Sequence, residues 1–183
     1  MKTKKLRVSY SLLHLWAQGK TDDAVSTYFH MDRPTTQAMS FGRRFHEDVA
    51  KYIEKEGKIP EWLFTHKIKK PQPELVVTVS YNELFDVKAI FDCLDVPNLF
   101  EWKSGVTNSL VWANTHQLSL YFLVAEIAKI KVEKAYLVHW NQYTKKGDFT
   151  IVWNNKSHIE YAKNMIDSYA PEIYDFFKNE GLI

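Results

Sequence analysis

The sequence of 183 residues contains a single cysteine, Cys93. One cysteine cannot form a disulfide within the chain, and it cannot supply the several thiolates of a structural zinc site. Disulfide-stabilised secreted scaffolds and cysteine-based zinc modules are therefore excluded. A reducing, cytoplasmic location is the default expectation for such a chain.

An excess of charge of one sign is also lacking. Lys and Arg total 24 and Asp and Glu total 22, so the formal net charge is only +2. This balance does not indicate a nucleic-acid partner by itself, and any electrostatic footprint must be local. No apolar run approaches the length that spans a bilayer, so no membrane partner is expected.

Glycine and proline are scarce, with six of each, and they do not cluster into a linker. There is no internal repeat and no low-complexity tract. A hydrophobic fraction of 45% and an aromatic fraction of 15% are typical of a folded chain with a substantial core. The sequence therefore predicts one domain over residues 1–183.

Hydrophobic periodicity divides the chain into helices and strands. A helix is predicted from about Thr35 to Glu56, with Gly57 at the position where it ends. Further helical segments are predicted at residues 8–30, 117–130 and 157–179, the last interrupted at Pro171. Strands are predicted at residues 75–80, 84–94, 99–103, 135–141 and 149–154. This order predicts an α/β fold in which one mixed β-sheet is flanked by helices.

Two carboxylates and a lysine lie in the predicted hairpin formed by the second and third of these strands. If the hairpin turns between Val96 and Pro97, Asp92 lies directly opposite Glu101, and the two Cβ atoms are about 5 Å apart on one face. Lys103 shares that face with Glu101, because side chains alternate along a strand. A register slip of one residue would separate the two carboxylates.

This grouping suits phosphodiester hydrolysis. Two carboxylates can hold a hard cation such as Mg²⁺, which keeps several waters and accepts phosphate oxygens as further ligands. The metal lowers the pKa of a bound water, and a nearby ammonium orients that water and stabilises developing negative charge. Asp92, Glu101 and Lys103 are therefore the candidate catalytic residues.

Two pairs of residues at helical spacing extend the candidate site. Gly42 and His46 lie four apart on the predicted helix, where a glycine suggests a close backbone approach and His46 is a candidate metal ligand. Gln117 and Tyr121 lie four apart on a later helix, where they could contact phosphate or brace Lys103.

The ordered set of these residues resembles the PD-(D/E)xK nuclease superfamily, and within it the RecB-type exonuclease branch. The resemblance spans about residues 9–140 and implies a restriction-endonuclease-like core. The motifs that carry it are Ser9-Tyr10-Ser11-x-Leu13, Gly42-x-x-x-His46, Asp92, Glu101-Trp102-Lys103 and Gln117-x-x-x-Tyr121.

The resemblance implies a Mg²⁺- or Mn²⁺-dependent deoxyribonuclease. Asp92 and Glu101 would be catalytic carboxylates and metal ligands, His46 would be a further metal ligand, and Lys103 would be the catalytic lysine. Cys93 is the only cysteine, so the four-cysteine iron–sulfur cluster of some members cannot form within this chain.

The resemblance also implies a substrate. Gln117 and Tyr121 would line the site and help to bind DNA, with single strands or free ends favoured and little sequence specificity. A helicase or recombinase partner, and a setting in DNA repair, recombination, phage or CRISPR biology, would be consistent with this branch. Five basic residues are candidate phosphate contacts: Arg43, Arg44, Lys67, Lys69 and Lys70.

The sequence departs from the family pattern at two positions. Phe91 precedes Asp92 where proline is common, and Ala89 stands where the branch usually has glycine. Glu74 lies where some members have another acidic residue and is not assigned a role. Two alternatives stay open at this point: a non-cutting DNA- or partner-binding module of nuclease ancestry, and an RNA substrate.

Overall fold

The computed structural model describes residues 5–31, 36–65, 68–105 and 111–183, with residues 111–114 described by their backbone. The strands are β1 Leu6–Ser9, β2 Gln72–Ser80, β3 Phe85–Asp95, β4 Asn98–Gly105, β5 Lys134–Asn141 and β6 Lys146–Trp153. The helices are α1 Tyr10–Ala17, α2 Thr21–Tyr28, α3 Gln37–Glu56, α4 Val111–Ile127 and α5 Lys156–Asn179.

The six strands form one mixed sheet organised around β3. One edge of β3 pairs antiparallel with β2 along most of its length. The other edge is shared, because β1 pairs parallel with residues 85–88 and β4 pairs antiparallel with residues 93–95. β4 then pairs parallel with β5, which pairs antiparallel with β6. The predicted α/β class, with a mixed sheet flanked by helices, is confirmed.

Each face of the sheet buries its own hydrophobic core. The larger core includes α1, α4 and α5 and contains Phe91 and Phe122. The smaller core lies under α3, where Phe45 and Val49 pack with Trp102. These cores bury most of residues 91–95 of β3 and all of residues 99–102 of β4, whereas Asp86 and Lys88 earlier on β3 are partly exposed. Asp92 and Glu101 therefore lie within the strands, in a largely buried part of the sheet.

Helix α3 ends at Glu56 as its sequence predicts and begins at Gln37, near the predicted start at Thr35, which lies outside the described residues. The Thr36 side chain accepts a hydrogen bond from the Met39 N–H over 3.2 Å and so caps the first turn. Gly57 ends the helix with φ of 66°, a left-handed conformation that glycine adopts without strain. This fixes the helix that carries Gly42 and His46.

Three predicted elements are wrong in detail. The segment 8–30 is not one helix, since it contains part of β1 and two helices separated at Gly19, where φ is 69°. Helix α4 starts at Val111, six residues earlier than expected. Pro171 does not interrupt α5, because Ala170 and Ile173 on either side of it are fully buried, and this packing outweighs one missing hydrogen bond. None of the described helices is long and apolar enough to cross a membrane.

Candidate active site

The candidate site lies where β3 and β4 separate. The register Cys93↔Phe100 and Leu94↔Leu99 is the predicted one, and continuing it by one residue places Asp92 opposite Glu101. Pairing stops before that position. Within the described residues no strand pairs with residues 89–92 on this edge of β3. The sheet therefore opens beside Asp92.

A distortion of β3 turns Asp92 into this opening. Phe91 packs in the larger core and Cys93 in the smaller core, although residues two apart on a regular strand share a face. Across the strand pair, Glu74 has φ of 48°, so β2 shares the distortion. The Asp92 carboxylate reaches β4, where Oδ2 accepts a hydrogen bond from the Trp102 main-chain N–H over 2.7 Å.

Glu101 and Lys103 lie side by side on β4. Glu101 is 1% exposed, and its Oε1 accepts a hydrogen bond from Lys103 Nζ over 2.6 Å. The other carboxylate oxygen, Oε2, is buried and has no hydrogen-bond partner among the described residues. An unpaired carboxylate oxygen out of water is unfavourable. The predicted shared face of the two side chains is confirmed, and Glu101 retains capacity for a further ligand.

Helix α4 braces the lysine through the predicted Gln-Tyr pair. Lys103 Nζ donates to Gln117 Oε1 over 3.2 Å, and Gln117 Nε2 donates to Tyr121 Oη over 2.5 Å. The Tyr121 ring packs on Phe91, with ring centroids 5.2 Å apart. The Lys103 ammonium group is thus held by Glu101 on one side and by Gln117 on the other, and Gln117 is itself bonded to Tyr121.

His46 reaches the site from α3. Its Nδ1 lies 3.3 Å from Asp92 Oδ1, so it contacts the carboxylate with which it would share a metal ion. Gly42 lies one turn earlier, and a Cβ atom there would be 3.8 Å from Ser104 Oγ, an ordinary contact. The expected close backbone approach at Gly42 is therefore wrong, because the position has room for a methyl group.

The two carboxylates make the site electronegative. Burial and the charge of Asp92 raise the pKa of Glu101 to about 7. Burial would lower the pKa of Lys103, but the charges of Glu101 and Asp92 outweigh it and raise that pKa. The pKa of His46 is raised in the same way, chiefly by its hydrogen bond to Asp92. Burial and the same two carboxylates raise the pKa of Tyr121 well above its usual value. A site that holds protons this firmly also attracts cations.

The donor set fits a divalent cation. Among the described residues no three His, Cys, Asp or Glu side chains form a ready-made metal cage. Mg²⁺ does not need one, because it is commonly bound by one or two carboxylates together with waters and substrate phosphates. Asp92 and the unpaired Oε2 of Glu101 supply the two carboxylates. His46 as a third ligand stays a prediction.

One buried polar residue beside the site was missed by the sequence analysis. His139 lies on β5 next to Lys103 on β4, and it is buried with neither ring nitrogen hydrogen-bonded among the described residues. A Cβ atom added at Gly105 would lie 3.7 Å from Nε2 of His139. Strand alternation could have placed His139 on one face, but the pairing of β4 with β5 joins distant segments that the sequence pattern does not connect.

The candidate phosphate contacts differ in setting. Arg43 and Arg44 are exposed on α3, next to Gly42 and close in sequence to His46. Residues 69 and 70 lie at the turn end of the hairpin, where their main-chain N–H groups donate to the buried Asp95 carboxylate over 2.9 and 2.8 Å. Asp95 therefore has a structural role, and Lys67 lies outside the described residues.

Comparisons with known proteins define the fold. No protein family and no curated protein matches the sequence. A solved structure from Eubacterium rectale, assigned only provisionally as an exonuclease, has a TM-score of 0.69 at 11% identity, covering 96% of this chain and 82% of that one. The alkaline exonuclease LHK-Exo of Laribacter hongkongensis has a TM-score of 0.55 at 12% identity, covering 96% and 93%. Its complex with dAMP has a TM-score of 0.56 at 12% identity and the same coverage.

The chain thus has the fold of these exonuclease structures along nearly its whole length. The resemblance to the PD-(D/E)xK nuclease superfamily, predicted from the motifs, is confirmed at the level of the fold. Identities of 11% and 12% establish the fold alone, and the RecB-type branch stays a prediction.

Proposed function

We propose that this protein is a metal-dependent nuclease that hydrolyses DNA phosphodiester bonds. The observation that carries the proposal is the convergence of Asp92, Glu101 and Lys103 at the opening between β3 and β4. Two carboxylates facing an ammonium, braced by a helix, form a site for a cation and a phosphate together. The exonuclease structures with the same fold support this assignment.

Asp92 and Glu101 would hold Mg²⁺ or Mn²⁺, with His46 as the additional ligand. The bound metal would activate a water and offset charge that develops on the phosphate. Asp92 is held in place by the Trp102 N–H, so its oxygen position does not depend on the metal alone. His46 contacts the Asp92 carboxylate from the α3 side and limits its rotation.

Lys103 would orient the attacking water and stabilise the transition state. Its ammonium is a three-donor group that already contacts Glu101 and Gln117, so it is positioned before substrate arrives. Tyr121 holds the amide of Gln117 and thereby keeps Oε1 directed toward Lys103. Gln117 and Tyr121 therefore act mainly as positioning residues, and they also line the site for DNA.

We infer that the substrate is DNA with single-stranded or free ends, cut with little sequence preference. Contacts to phosphates carry no sequence information, and exposed arginines such as Arg43 and Arg44 suit such contacts. The LHK-Exo complex with dAMP shows that a nuclease of this fold holds a deoxynucleotide. A helicase or recombinase that supplies ends would be a compatible partner.

A cleavage assay tests this proposal. Linear single-stranded, linear duplex and closed circular duplex DNA are incubated with Mg²⁺, with Mn²⁺ or with EDTA. The linear forms should be degraded in either metal and not in EDTA, the closed circle should persist longest, and added salt should slow the reaction. Glu101→Ala is the inactive control.

Three outcomes would overturn parts of the proposal. Discrete fragments from the closed circle, formed as fast as the linear DNA is lost, would indicate a site-specific endonuclease. Degradation of RNA in preference to DNA would reassign the substrate. Binding of DNA without cleavage in either metal would favour the non-cutting module of nuclease ancestry.

A further inference from the structure

A line of aromatic rings runs from His46 on α3 to the surface. The ring of His46 lies 5.9 Å from Phe45, Phe45 stacks on Trp140 at 5.3 Å and 17°, and Trp140 contacts Trp62 edge-on at 5.6 Å. These four residues are called the aromatic path. Phe45 belongs to the smaller core and Trp140 packs against it, but Trp62 at the outer end is 50% exposed. A large ring is thus open to solvent at the outer end of a series of rings that starts at His46.

The position of Trp62 is fixed by the backbone around it. The turn that carries Trp62 is closed by hydrogen bonds from Leu63 N and Phe64 N to the Pro60 carbonyl, at 2.9 and 3.0 Å. The Leu63 carbonyl in turn lies against β6, where a Cβ atom at Gly147 would come within 2.4 Å of it. The turn can approach the sheet this closely because residue 147 is glycine. The close approach of the Leu63 carbonyl to Gly147 therefore fixes the turn and holds Trp62 against Trp140.

Positive charge flanks the aromatic path. Lys145 Nζ lies 5.0 Å from the centroid of the Trp140 ring. In the sheet, Trp140 pairs with Ser104, on the face of β4 that also carries Trp102 and is opposite to Lys103. Aromatic faces beside cations are the combination that binds single-stranded nucleic acid, because bases stack on the rings while lysines meet the phosphates.

We propose that Trp62 is a stacking platform for a base of the single DNA strand whose phosphate enters the Asp92–Glu101 site. This inference rests on the proposed function and adds a binding subsite to it. The occupant is a nucleic-acid strand because the path starts at His46 in the site and a lysine flanks it. Stacking on Trp62 accepts any base, which agrees with weak sequence preference.

The chain contains a matched control tryptophan. Trp153 is 59% exposed and, like Trp140, has a lysine near its ring, with Lys134 Nζ 5.2 Å from its centroid. The register of β5 and β6 pairs Lys134 with Trp153 at one end of the ladder and Trp140 with Gly147 near the other. Trp153 therefore shares the exposure of Trp62 and has a flanking lysine, but it lies at the opposite end of the β5–β6 ladder from Trp140, the ring that Trp62 contacts.

Binding of a fluorescently labelled oligo-dT strand in EDTA, followed by anisotropy, tests the inference without cleavage. Trp62→Ala should weaken binding between about fivefold and about a hundredfold, the loss expected for one stacked base. Trp62→Leu should weaken it similarly, because leucine preserves apolar packing against Trp140 but has no ring face. Trp153→Ala should bind like the wild type.

The outcomes separate this inference from the proposed function. Wild-type binding by both Trp62 variants, or an equal loss in Trp153→Ala, would overturn the stacking role, while metal-dependent cleavage abolished by Glu101→Ala would leave the proposed function standing. A wild-type protein that neither binds the strand nor cuts DNA would overturn both. If Trp62→Ala unfolds, Trp62→Leu with native circular dichroism decides the result.

Discussion

The main-chain N–H of Trp102 donates a hydrogen bond to Oδ2 of Asp92 over 2.7 Å, at the point where main-chain pairing between β3 and β4 has ended. The Asp92 carboxylate thus accepts a hydrogen bond of the kind that a main-chain carbonyl accepts in a regular strand pair. The bond ties Asp92 to the strand that carries Glu101 and Lys103, so the separation of the strands opens a cleft without scattering the three charged groups.

Lys103→Ala should lose turnover and still bind metal and DNA. The ammonium acts mainly on the transition state, and loss of one such group typically lowers the rate on the order of a hundredfold or more. Single-turnover cleavage and Mn²⁺ calorimetry on the same preparation measure the two properties.

The surface supplies a matched control for Lys103. Lys131 pairs with Glu133, also two residues away, at 2.7 Å, but that pair is exposed. Lys131→Ala should therefore cut at the wild-type rate. Cleavage at the wild-type rate by Lys103→Ala would show that the assigned role is wrong.

Without metal, the protein should lose stability as pH rises. The pKa of Glu101 is raised from 4.5 to about 7 in the folded protein, first by burial and then by Asp92. Its contribution to stability is therefore fully present below about pH 4.5 and is lost as pH rises through about 7. The raised pKa of His46 acts in the same direction. The whole effect of Glu101 is on the order of a few kcal/mol at most.

Urea unfolding in EDTA at about pH 5 and about pH 8.5 isolates the Glu101 contribution. Glu101→Gln removes the titrating group and leaves His46 in place, so the free energy of unfolding should fall less with pH than in the wild type. Glu133→Gln, at a half-exposed surface position, should follow the wild type. An equal pH dependence of the free energy of unfolding in all three proteins would contradict the raised pKa of Glu101.

Two glycines should respond oppositely to alanine. At Gly147 a Cβ would lie 2.4 Å from the Leu63 carbonyl oxygen, so Gly147→Ala should lower the free energy of unfolding by about 1–3 kcal/mol. At Gly42 the nearest atom would be Ser104 Oγ at 3.8 Å, so Gly42→Ala should raise it by about 0.5–1 kcal/mol through helix propensity. Chemical denaturation measures both free energies of unfolding. A Gly147→Ala variant more stable than the wild type would disprove the close approach of the Leu63 carbonyl to residue 147.

Local patterns predicted the hairpin and the positions of the candidate residues on it. The turn at Val96 and Pro97 and the alternation of β4 were enough to place Asp92 opposite Glu101 and to put Lys103 beside it. The helical spacing of Gln117 and Tyr121 was equally local, and their bond to each other follows from it.

The rest depends on contacts between distant segments. The sequence pattern does not show that β5 lies beside β4, so His139 and Trp140 could not be linked to the site. Trp62 belongs to the aromatic path because its turn packs closely against Gly147, a residue far along the chain that has no Cβ atom to block the contact. Strand β1 was missed because four residues next to a helix are too short for a clear period.

Calorimetric titration with Mn²⁺ tests the central claim most directly. Asp92→Asn keeps an oxygen that can accept the Trp102 N–H and removes the charge, so the fold should be preserved while metal affinity falls by more than about a hundredfold, beyond the loss typical of an outer-shell change. Asp86→Asn changes a partly exposed carboxylate near the start of β3 that pairs with Lys5, and it should bind like the wild type. Equal Mn²⁺ affinity in wild type and Asp92→Asn would contradict a metal site built on Asp92 and Glu101.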